Sequence, residues 1–105
     1  MIVGRYGPEF RAALHGAFEA LPAEEHGVLR LHFEQGLSLE AVARLLGLSR
    51  ATVGRRMLAG RQRILAEVLR TLGEKLSATP AELLSLLGVV RSKLDLSLGS
   101  LLGLR

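Results

Sequence analysis

Apolar residues recur along the chain at spacings of three and four, and alternating β-branched stretches are absent, so the sequence predicts an all-α fold. A first helix is expected over residues 8–20, with Phe10, Leu14 and Phe18 as its apolar stripe. Pro8 suits the first helical position, where its missing N–H costs nothing. A second helix is expected over residues 22–35. Glu24 and Glu25 fall in its first turn, where the helix dipole favours carboxylates. Val28, Leu29, Leu31 and Phe33 supply its buried side, and Gly36 ends it as a left-handed cap. Ser38 reads as the N-cap of a short third helix that stops at Gly47, and Ser49 as the N-cap of a fourth. The fourth helix is long, because no strong stop occurs before Gly73 or Ser77. Thr79-Pro80-Ala81-Glu82 forms a capping box with proline at the first helical position and starts a fifth helix carrying Leu83, Leu84, Leu87, Val90 and Leu94. Residues 95–105 are leucine-rich with two glycines, and the pattern leaves their conformation open. No internal repeat or low-complexity linker interrupts the chain.

Residues 37–57 carry the most information. Two short helices joined by a glycine turn, with arginines crowding the start of the second, spell a helix-turn-helix over 38–60 and make double-stranded DNA the leading candidate partner. Projection at about 100° per residue places Val53, Met57, Ile64 and Val68 on one face of the fourth helix, with Gly60 among them, to pack on the third helix. Ala43 on that helix is small enough to allow close approach. Arg50, Ala51 and Arg55 are expected on the opposite side near the N-terminus, the part of a recognition helix that reaches base edges. An arginine there can pair bidentately with guanine, worth about 1–3 kcal/mol of discrimination. Thr52, Arg56 and Arg63 form a flanking stripe suited to phosphates, and Ser38 and Ser49 leave helix N-termini that can also hydrogen-bond phosphate. Arg44 completes the candidate DNA-binding set.

Composition narrows the alternatives. A chain of 105 residues is expected to be one domain. Its 49% apolar content argues against disorder, and its 4% aromatic content means a core of leucine, valine and alanine. The absence of cysteine excludes disulfides and cysteine-ligated zinc and fits a reducing cytoplasm. No signal-peptide core opens the chain, and no run approaches the ~20 apolar residues of a membrane span, so a soluble cytoplasmic protein is expected. Charge is unevenly placed: residues 1–48 hold four basic and six acidic side chains, residues 49–75 seven basic and two acidic. The positive field thus follows the glycine turn, as a polyanion partner requires. His15, His26 and His32 lack an i, i+4 pairing and read as surface or half-buried residues rather than metal ligands. The twelve glycines form no phosphate-binding loop, and no nucleophile elbow is present, so neither enzymatic activity nor a cofactor is expected.

With those residues in view, the chain resembles region four of bacterial RNA polymerase sigma factors, most closely the extracytoplasmic-function type. The matching run is Leu21-Pro22, then Val28-Leu29-Arg30-Leu31-His32-Phe33, then Gly36-Leu37-Ser38-Leu39-Glu40-Ala41-Val42-Ala43, continuing through Gly47-Leu48-Ser49-Arg50-Ala51-Thr52-Val53 to Arg56-Met57 and Arg61. Three residues after Val53, where helix-turn-helix repressors usually carry an apolar residue, Arg56 stands and Met57 follows, as in sigma factors. The flanks Arg5-Tyr6-Gly7-Pro8-Glu9-Phe10 and Arg91-Ser92-Lys93-Leu94-Asp95-Leu96-Ser97-Leu98 resemble a subgroup with a short C-terminal extension.

The resemblance implies recognition of the minus-thirty-five promoter element by the second helix of the helix-turn-helix. It also implies docking on the flap of the polymerase β subunit, and sequestration by an anti-sigma factor. Nothing in the sequence corresponds to sigma region two, so the chain is expected to be a fragment of a longer sigma factor or a free-standing region-four-like protein, unable to start transcription alone. The expected division is a region-four-like domain over 1–76 and a C-terminal leucine-rich helical extension over 77–105 packing on it. Leu58, Leu65, Leu69 and Leu72 make a second stripe on the fourth helix. Either Leu83, Leu87, Val90 and Leu94 cover it, or it is open for self-association or an anti-sigma partner. Two rival functions remain: a stand-alone regulator dimerising through its leucine-rich end, and a sigma mimic that binds polymerase or an anti-sigma factor but not DNA.

Overall fold

The helix that Ser49 starts is the spine of the molecule. The structure, a computed structural model, describes residues 7–102, and among them it is helical with connecting turns. Helix α1 spans Gly7–Glu19. Helix α2 spans Ala23–Leu29 and continues as a π turn over Arg30–Glu34. Helices α3 (Leu39–Leu46), α4 (Arg50–Leu76) and α5 (Pro80–Leu102) follow. The 27-residue α4 packs against each of the others. No helix among the described residues is long and apolar enough to cross a membrane.

The core follows the expected stripes for most of its length. Phe10, Ala13, Leu14, Ala17 and Phe18 of α1 are buried, at the spacing that puts them on one face of a helix. They meet Val53, Met57, Ile64, Val68 and Leu72 of α4, with Val28 and Leu29 of α2 and Val42 and Ala43 of α3 completing the cluster. The inner face of α4 therefore serves three helices, not α3 alone. Gly60 makes this possible. A Cβ there would lie 2.6 Å from Cδ1 of the fully buried Leu29, so a side chain would push α2 away.

Two stretches depart from expectation. The second helix is not α-helical throughout, because the π turn inserts one extra residue after Leu29. Leu31 and Phe33 consequently leave the meridian of Val28 and Leu29 and are half-buried, on a turn against which α5 packs. Gly36 (φ +74°) closes the segment, with the Leu37 amide donating to the Leu31 carbonyl at 3.1 Å.

On α5 the capping box forms as expected: the Thr79 amide donates to Glu82 Oε1 (2.8 Å) and the Glu82 amide to Thr79 Oγ1 (3.2 Å). The buried stripe is Leu86, Val90, Leu94 and Leu98, however, with Leu83 and Leu87 half-buried and Leu84 71% exposed. Leucines at 83, 84, 86 and 87 fit several helical faces, and packing on α4 selects among them. The helix persists to Leu102, which resolves the conformation of the tail; residues 103–105, like Arg5 and Tyr6 of the N-terminal flank, lie outside the described residues. Gly73 does not stop α4 but makes room for Leu83, whose Cδ2 would lie 2.8 Å from a Cβ at that position. The second α4 stripe is covered from Leu72, which is buried, through the half-buried Leu69 and Leu65, while Leu58 stays 56% exposed.

Helix α4 ends at Ser77, which takes a left-handed conformation (φ 49°) unusual for a residue with a Cβ. Ser77→Gly is expected to stabilise the protein by about 0.5–1 kcal/mol, the relief of that strain less the added chain entropy of glycine. Urea denaturation checks it, and a lowered midpoint would contradict it.

Candidate nucleic-acid interface

The turn between α3 and α4 is built by local chemistry. Ser38 Oγ accepts from the Ala41 amide (3.1 Å) and caps α3. Gly47, at φ +69°, reverses the chain with a paired closure in which the Leu48 amide donates to the Ala43 carbonyl (2.9 Å) and the Gly47 amide to that of Arg44 (3.4 Å). A side chain at this φ would be strained, hence the glycine. Ser49 Oγ accepts from the Thr52 amide (3.1 Å) and caps α4. Buried Val42 and Ala43 on one side and Val53 and Met57 on the other lock the two helices together.

The outer side of the first turn and a half of α4 faces solvent. Ala51 and Arg55 are exposed on the side away from the core. The Arg55 guanidinium donates through Nη2 to Thr52 Oγ1 (3.1 Å), and that oxygen also accepts from the Ser49 hydroxyl (3.0 Å). Arg55 is thereby oriented by neutral groups, and its ion pairs with acids are absent among the described residues. Arg50 lies elsewhere than expected. It occupies the first position of α4 and is exposed, and its pairing with Glu40 puts it on the side facing α3 rather than opposite the core. Its Nε donates to Glu40 Oε2 at 2.7 Å. The Glu40 carboxyl is held below the ordinary glutamate range, first by a backbone hydrogen bond and then by the Arg50 guanidinium. Arg44 is exposed in the last turn of α3, four residues beyond Glu40 on the same outward side.

Arg56 and Arg63 lie on the flank of α4 that meets α2. Arg56 Nη2 is 3.4 Å from Glu24 Oε2, and Arg63 Nε is 2.9 Å from Oε1 of the nearly buried Glu25. Arg70, further along, is tied to Glu67 and Glu74, which hold its guanidinium protonated well beyond the ordinary arginine range. The basic charge of residues 49–75 is therefore partly offset away from the start of α4. Arg63→Ala is expected to lower stability by about 1 kcal/mol, by orphaning Glu25, while leaving the salt dependence of DNA binding unchanged. A melt and a salt titration together check this, and a flattened salt slope would place Arg63 on phosphate instead.

Two of the three histidines serve the fold: His26 stacks on Phe18 with ring centroids 4.2 Å apart, and His32 Nδ1 lies 2.8 Å from the Leu37 carbonyl, while His15 is exposed beside Glu19. Among the described residues no cluster of three potential metal ligands exists. A shallow cleft, separate from the start of α4, opens between the π turn and α3. Leu31, Leu37 and the exposed Leu45 line it together with Gly27, Arg30, Glu34 and Gln35.

The sequence places Glu24 and Glu25 at a helix start and Glu40 within the helix-turn-helix, but pairs none of them with an arginine. Each meets its arginine across the fold, and no spacing rule connects residues on different helices.

A capped pair of helices about a left-handed glycine, with an arginine-bearing N-terminus left open, defines a helix-turn-helix protein of the DNA-binding kind. Residues 11–64, just over half of the chain, match the family of sigma-70 region 4, and the chain belongs to that family. The protein is thus a sigma-factor DNA-binding module of transcription initiation, a partner of RNA polymerase at promoter DNA rather than a catalytic domain. The matched stretch runs from the first turns of α1 to the middle of α4. No curated protein and no solved structure matches the chain.

Proposed function

We propose that this module reads the minus-thirty-five promoter element with the first turns of α4 and docks on the flap of the polymerase β subunit. Arg50 and Arg55 are the base readers. Ala51 lets the helix approach the groove floor, and Thr52, Arg44 and the capped helix starts at Ser38 and Ser49 position the phosphate backbone. Arg56 and Arg63 hold α4 to α2, Arg56 adds a secondary phosphate contact, and Arg63 adds none. The observation that carries this reading is the exposed start of α4, where Arg55 bonds the Thr52 hydroxyl, itself held by Ser49, and meets no acid among the described residues. The cleft of Leu31, Leu37 and Leu45 lies apart from that surface and supplies the apolar face that a polymerase contact needs. Helix α5 acts as an extension that braces α4, and an anti-sigma factor is a further partner of the same module.

The test is capture of purified core RNA polymerase and of the isolated β flap by the full chain. The account expects both to be retained, and Leu45→Asp to weaken both. DNA binding without retention of either would favour the stand-alone regulator, with the exposed Leu58 as part of its dimer contact. Retention of both without DNA binding at low salt would favour the mimic.

A further inference from the structure

The proposed base-reading surface contains an acid. Glu40 sits in the first turn of α3 with its side chain 58% exposed, bonded through Oε2 to Nε of Arg50. A carboxylate on a surface meant for a polyanion lowers affinity. An exposed ion pair contributes little to folding. A carboxylate in the first turn of α3 suits the helix dipole, but neither that nor raw affinity accounts for its bond to Arg50.

The geometry of the bond does. A guanidinium has five N–H donors, one on Nε and four on the terminal nitrogens. Glu40 engages Nε, the single donor on the side of the chain, and leaves the terminal pair for a bidentate contact such as the O6 and N7 acceptors of guanine. Arg50 can keep Glu40 and read a base at once. Swinging away to follow the phosphate backbone breaks the Nε bond and leaves the carboxylate facing phosphate. Arg55 differs, because its tether is the Thr52 hydroxyl and carries no charge.

We propose that Glu40 is a specificity-determining positioning residue: it fixes Arg50 through Nε for base contact, and its charge suppresses binding to DNA that lacks the matching base. This rests on the reading of α4 as a base-reading helix. The consequence is that removing Glu40 makes the module bind more DNA and choose less among sequences.

The test uses the full chain, a duplex that the unaltered chain selects from a randomised pool, and a random duplex of equal length, at several salt concentrations. Glu40→Ala is expected to bind the random duplex more tightly, to steepen the salt slope by about one unit, and to reduce the preference for the selected duplex by about fivefold. Glu40→Gln keeps an acceptor for Nε and is expected to recover part of the preference while sharing the steeper slope. A merely structural role would move the melting temperature and leave the salt slope alone. If Arg50→Ala lowers the preference and Glu40→Ala does not, the proposal is overturned while α4 remains the reader. Should Arg50→Ala and Arg55→Ala both leave the preference intact, the base-reading assignment fails and the proposal with it.

Discussion

Phe18→Ala is expected to destabilise the protein by about 3–5 kcal/mol, the usual loss for a buried aromatic that leaves a cavity. Phe18 is among the largest fully buried side chains and joins two helices, since it projects from α1 and its ring stacks on His26 of α2. Both helices pack on α4, so the cavity would open beside the spine and not at a margin. Against a typical total stability of about 5–15 kcal/mol, such a loss removes much of the folded population near body temperature. Thermal melting followed by circular dichroism should show a fall of roughly 15 °C or more for a chain of this size. Leu84→Ala, at the exposed side of α5, is the control and should stay within about 0.5 kcal/mol. A melting temperature for Phe18→Ala close to that of the unaltered chain would mean that α1 does not brace α4 as described.

The second large effect falls on recognition. Arg55→Ala is expected to cost about 1–3 kcal/mol of discrimination between the preferred duplex and one changed at the contacted base pair. That is roughly a fivefold to 150-fold loss of preference. Folding should be little affected, because Arg55 is exposed and, among the described residues, bonds the Thr52 hydroxyl of its own helix. Some non-specific affinity would persist, since phosphate contacts from the rest of the surface supply it. Competition binding at fixed salt separates the two. Uniform loss on every sequence would make Arg55 a phosphate contact and leave the base reading to its neighbours.

The parts of this architecture that were legible in the sequence are those fixed by local chemistry. Ser38, Gly47, Ser49 and the Thr79–Glu82 box each act within four residues, and each does what its residue type and position require. The face of α4 from Val53 to Val68 was equally plain, because Val53, Met57, Ile64 and Val68 recur at helical spacing. Where leucine occupies 83, 84, 86 and 87, periodicity loses its power, and only contact with α4 decides that Leu86 goes inside. The π turn after Leu29 has no composition of its own that marks it in the sequence. The candidate site shows the same division. Its arginines could be located from the sequence, but their partners could not. Glu40 finds Arg50 across the helix-turn-helix, and Glu24 and Glu25 find Arg56 and Arg63 from another helix. Those pairings change what a basic segment offers to DNA: charge along α4 is offset where α2 and neighbouring turns supply acids, and Arg55 is left with hydroxyls at the open end.

The most direct test of the central claim, that the start of α4 reads sequence, is selection of duplexes from a randomised pool by the full chain and by the Arg50→Ala/Arg55→Ala double variant. The account predicts that the full chain enriches one short motif, and that the double variant, folded and still binding DNA at low salt, enriches none. Enrichment of the same motif by both proteins would contradict it, and so would failure of the unaltered chain to enrich any motif.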